Sequence, residues 1–82
     1  MLDLIFMDKK PDIHVIPRGN YWAVREGFAE RVRLTLWTQE QAISKGREIA
    51  IRYGTELIIH SHNGRVRERR NFGEAPNIIV DN

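Results

Sequence analysis

Eighty-two residues without a cysteine make one small domain and exclude a disulfide framework, a thiolate nucleophile and a cysteine-built metal site. Thirteen basic against eleven acidic side chains leave a net charge of only +2, so the chain as a whole is not strongly cationic. The early apolar run Leu4–Met7 is too short to span a membrane and lacks the basic flank of a secretory signal; a soluble, cytoplasmic protein with no membrane partner is the expectation.

Residues 1–11 read as an N-terminal extension, with Leu2, Leu4 and Phe6 alternating against Asp3 and Ile5 as in a short edge strand that Pro11 closes. The domain proper is expected over residues 12–73. Its first strand alternates Ile13 and Val15 against His14 and Ile16, and Arg18-Gly19-Asn20 makes the turn. Tyr21–Arg25 forms the second strand, where alternation lets only one aromatic face the core, and Trp22 is the expected one. Glu26–Glu30 is a looser connection whose carboxylates are expected to pair with Arg25 or Arg31. In the third strand, Arg31–Trp37, the pattern turns Val32, Leu34 and Leu36 inward and Arg31, Arg33 and Thr35 outward.

One helix follows. Thr38 is its N-cap and Gln41, three residues on, completes a capping box, with Trp37 placed to staple onto Ala42. Ala42, Ile43, Gly46, Ile49, Ala50 and Tyr53 recur at helical spacing as one stripe, and Gly54 ends the helix. Gly46 costs a mid-helix position about 1 kcal/mol against alanine, a sacrifice that close approach to a sheet explains. Glu56–Arg70 then reads as a basic hairpin turning at Asn63-Gly64. Regular alternation places Arg65, Arg67 and Arg69 on one face of its return strand. Residues 60–73 hold four arginines against Glu68, and across the chain Arg outnumbers Lys ten to three. Residues 74–82 form a C-terminal tail with the apolar run Ile78–Val80. The expected fold is therefore α+β: a small antiparallel sheet in the order β-β-β-α-β-β, packed on one face by a single helix.

Several segments in this order resemble the bacterial domain-of-unknown-function family 2188. They are Ile13–Pro17, Trp22–Val24, Thr38–Ile43, Arg47–Ala50, Glu56–His60 and Gly64–Arg69, closing at Phe72-Gly73. The likeness covers about residues 12–73 and departs at Gly46, where an alanine looks more typical. It implies a compact β-rich domain with one helix, and it carries no catalytic or binding residues onto this chain.

The residues themselves point away from catalysis. Ser44 falls on the solvent side of the helix and Ser61 near a turn, with no base spaced to activate either, and the glycines are scattered singly rather than gathered into a phosphate loop. His60 and His62 share a strand face at spacing two, but no Cys, Asp or Glu cluster completes a metal site, so no metal, cofactor or small-molecule substrate is expected. What remains is a noncatalytic binding module, read first as self-association or protein–protein interaction, with the terminal segments adding strands to a neighbouring copy. The alternative is DNA or RNA binding by an arginine face of Arg31, Arg33, Arg65, Arg67 and Arg69, with Tyr21 available for stacking. That alternative requires the five arginines to share the sheet face opposite the helix.

Overall fold

The structure, a computed structural model, describes residues 10–27 and 32–73. The expected strand in the N-terminal extension, Arg31 and the C-terminal tail lie outside the described residues. Within them the order is β1 (Ile13–Arg18), β2 (Tyr21–Glu26), β3 (Val32–Leu36), α1 (Gln39–Tyr53), β4 (Glu56–His60) and β5 (Val66–Asn71), the expected β-β-β-α-β-β.

The five strands form one sheet in the order β3-β2-β1-β4-β5. It is mixed rather than wholly antiparallel, because β1 pairs with β4 in parallel, Ile13 opposite Leu57 and Val15 opposite Ile59. The connection explains the difference. β3 runs as β1 does, two antiparallel steps away, and α1 carries the chain back across the sheet to the end where β3 began. β4 therefore starts in the direction of β1 and takes the vacant place beside it.

The helix forms as its caps dictate. Thr38 Oγ1 accepts from the Gln41 amide at 3.1 Å while Gln41 Oε1 accepts from the amides of Thr38 and Trp37 at 3.2 and 3.1 Å. Gly54 closes it at φ 71°, and its amide donates to Ala50 and Ile51. Residues Ala42, Ile49 and Ala50 join Ile13, Val15, Trp22, Val24, Leu57 and Ile59 in the core, with Leu36, Ile43, Tyr53 and Phe72 packed at its margin. Burying each large side chain there is worth about 1.5–3 kcal/mol. A methyl at Gly46 would stand 3.0 Å from Leu57 Cδ1 and 3.2 Å from Val15 Cγ2, so the missing side chain is what lets helix and sheet meet.

Three details depart from simple alternation. Trp37 does not staple onto Ala42; it is 72% exposed and packs against Tyr21 instead. The hairpin turn is longer than a two-residue Asn63-Gly64 turn: Ser61 and Arg65 bracket a three-residue loop, with Gly64 at φ 88° and its amide donating to Ser61. Finally, both edge strands carry a bulge. Val24 pairs with Leu34 and Arg25 with Val32, leaving Arg33 unpaired; Ile59 pairs with Glu68 and His60 with Val66, leaving Arg67 unpaired.

Candidate functional site

Those two bulges decide where the arginines go. An extra residue in a strand shares the side of its neighbour instead of alternating with it. Arg33 accordingly swings to the helix side, where it donates to Glu26 and, at 3.1 Å, to the Tyr53 hydroxyl, which itself donates to Glu26 at 2.9 Å. Arg67 swings the same way and donates to Gln39 Oε1 at 3.0 Å, on the first turn of α1. Arg69 stays on the opposite face and pairs with Glu56 at 3.1 Å. Arg70 lies on the helix side, opposite Leu57, and pairs with Glu68 at 2.6 Å, which holds that carboxyl below the usual carboxylate range. Arg65 is exposed at the end of the loop.

The common arginine face expected from alternation is therefore corrected. Arg33 and Arg67 point to the helix side and Arg69 away from it, and Arg31 lies outside the described residues. Glu26 also finds its partner in Arg33 rather than in Arg25. Sequence alternation failed here because a single inserted residue reverses every side chain beyond it.

The sheet face that α1 leaves uncovered is a different surface. Cross-strand partners share a face, so His14, Ile16 and Arg18 of β1 lie beside Arg25, Ala23 and Tyr21 of β2. Val32, expected inward but moved by the bulge to lie opposite Arg25, joins Thr35 of β3, with Glu56, Ile58 and His60 of β4 and Val66, Arg69 and Asn71 of β5 completing it. Ala23 and Ile58 are buried beneath the longer side chains around them. At one corner Tyr21, 39% exposed, meets Trp37 with ring centroids 5.0 Å apart at 59°. Arg18, the cross-strand partner of Tyr21, stands beside the pair. Tyr21 is thus placed on a surface as expected, and Trp22 is core at 6% exposure.

Arginines outnumber carboxylates on this face. Its carboxylates among the described residues are Glu56, held by Arg69, and Asp12 at the far end of β1, which accepts from the Glu56 amide, while neither Arg18 nor Arg25 makes an ion pair among them. Arg25 Nε is buried with no hydrogen-bond partner among the described residues. Trp37, Arg18 and Arg25 were missed by the sequence reading, although two signals pointed to them. Leu36 facing inward puts Trp37 outward, and a two-residue turn at Gly19-Asn20 sets Arg18 opposite Tyr21.

His14 and His60 meet in the middle of the face, Nδ1 to Nε2 at 2.9 Å. Ring centroids 5.2 Å apart mean that these nitrogens aim at each other, as a hydrogen bond requires, and not at a common third point where a metal would sit. His62 is elsewhere, edge-on to Trp22 at 5.1 Å, so the two hairpin histidines do not form a ligand pair. Among the described residues no group of three or more His, Cys, Asp or Glu is arranged to hold a metal, and no described helix is long and apolar enough to cross a membrane.

A family described as "uncharacterized protein conserved in bacteria" (DUF2188) matches residues 13–72. The chain is 38% identical over 60 residues to the uncharacterized protein YdaT of Bacillus subtilis (strain 168). That similarity covers 73% of this chain and 40% of YdaT, so the chain spans well under half of that relative's length. No solved structure matches it.

Proposed function

The chain belongs to the DUF2188 family, and from that premise we propose that it is a noncatalytic binding module whose uncovered sheet face docks an anionic partner macromolecule. The observation that carries the reading is the corner where Trp37 packs at a tilt against Tyr21 beside Arg18. Trp, Tyr and Arg are the residue types that dominate binding energy at macromolecular surfaces, and the charge beside this aromatic pair, Arg18, makes no ion pair among the described residues. The hairpin arginines fit the role less well, since Arg67, Arg69 and Arg70 are already engaged within the chain. A second copy docking face to face is disfavoured by like charge. Self-association through Leu2–Met7 or Ile78–Val80 is a separate expectation on segments outside the described residues.

Retention on heparin across a salt gradient tests the reading. The Arg18→Ala/Arg25→Ala variant is expected to elute at clearly lower salt than Arg65→Ala/Arg67→Ala, although both lose two charges. Flow-through of the intact protein at low salt, or a loss confined to the hairpin variant, contradicts it.

A further inference from the structure

We infer that the corner built from Arg18, Tyr21 and Trp37, continued along the sheet by Arg25, is a binding site for single-stranded nucleic acid. The inference rests on the open-face reading above and names its partner.

Three observations select this occupant over other anions. The first is the aromatic pair. A large indole left 72% exposed, steadied by Tyr21 but not covered by it, offers a π-face on which an unpaired base can stack, and every base has such a face. An acidic protein segment would satisfy the arginines and leave the indole unused.

The second is the floor. Between Tyr21 and Arg25 on β2 lies Ala23, and its cross-strand partners are Ile16 and Thr35, so no bulky charged group interrupts the path from the aromatic corner to the second arginine. Arg18 and Arg25 then stand at opposite ends of the β1–β2 hairpin on one face, neither held by a carboxylate among the described residues. The third observation excludes the duplex. Reading a groove needs a projecting row of free side chains, and the bulge at Arg67 together with the Glu56 and Gln39 contacts dismantles the row that the hairpin would have supplied.

Two phosphate contacts predict a shallow salt dependence, a log–log slope of about −1.4 for a single strand, falling by about 0.7 when either arginine is removed. Loss of one stacked base contact predicts a weakening of about five- to a hundredfold.

The test is fluorescence anisotropy of labelled oligo-dT, oligo-rU and a duplex of matched length with the intact chain, in a salt series, with poly-L-glutamate as competitor. Single strands are expected to bind more tightly than duplex. Trp37→Ala should weaken them by the stated factor, Trp37→Phe should restore part of the loss, and Arg65→Ala/Arg67→Ala should leave them unchanged. Retention on heparin that depends on Arg18 and Arg25, without preference for single strands or effect of Trp37→Ala, overturns this inference while sparing the open-face reading. Absence of binding to every polyanion overturns both. Duplex binding lost in the hairpin variant overturns the inference and moves the surface to β5.

Discussion

His14 Nδ1 lies 2.9 Å from His60 Nε2 across the parallel β1–β4 pair, and His60 Nδ1 donates to the Gly64 carbonyl at 2.8 Å. The second bond fixes the tautomer of His60, leaving Nε2 as the acceptor for the proton on His14 Nδ1. The chain of bonds ties the centre of the open face to the hairpin loop. The His14–His60 bond cannot form between two imidazolium rings, because two N–H donors would then face each other.

A pH dependence follows. Burial, then His60 and Arg25, hold His14 below its ordinary value of 6.5, with Asp12 opposing and Arg69 adding to the depression. Above 6.5 the ring is neutral folded or unfolded and contributes no difference. Below it the unfolded chain takes up the proton more readily than the fold does, so stability falls as pH drops through 6.5 toward the folded value and then levels. Urea midpoints measured from about pH 8 to about pH 5 are expected to decline, and His14→Gln to flatten the decline in its upper part. An identical decline in the variant contradicts this role for His14.

Gly46→Ala sets two effects against each other. The helix gains about 1 kcal/mol of propensity, but the new methyl meets Leu57 Cδ1 at 3.0 Å and Val15 Cγ2 at 3.2 Å. Overpacking a well-filled core costs about 1–3 kcal/mol, so the net result is a loss of up to about 2 kcal/mol, read by denaturant unfolding. Gly46→Val should cost more. A stabilised alanine variant would show that the sheet yields to the helix.

Gln39 joins the helix to the hairpin, its Nε2 donating to the His60 carbonyl at 2.9 Å and its Oε1 accepting from Arg67. Gln39→Ala removes both and is expected to cost about 1 kcal/mol. Faster hydrogen exchange should appear at Ser61–Arg65 first, with the core of α1 unchanged. A uniform acceleration would mean that the contact supports the whole fold.

The terminal segments make a separate prediction. If Leu2–Met7 adds a strand to a neighbouring copy, the chain is a dimer or larger at micromolar concentration and becomes monomeric without residues 1–10. Light scattering on both forms decides it, and a monomer in both removes tail-mediated assembly.

Much of the fold was legible because it rests on short-range rules. The capping box at Thr38 and Gln41, the stripe from Ala42 to Tyr53 and the alternation of Ile13 and Val15 all reflect local periodicity. The parallel β1–β4 pairing was less legible, since it depends on where a crossover lands. The arginines were misplaced for a sharper reason: no local signal marks Arg33 or Arg67 as the extra residue of a bulge, yet each bulge turns a guanidinium from one side of the sheet to the other. The open-face corner was partly visible through Tyr21, and Trp37 was lost by assigning it to the helix staple.

The most direct test of the account is to map the docking surface residue by residue with amide chemical shifts, titrating oligo-dT into the isotope-labelled chain at low salt. Shifts centred on Arg18, Tyr21, Ala23, Arg25 and the Trp37 indole are the predicted result. Shifts confined to Arg65–Arg70, or none at all, would contradict it.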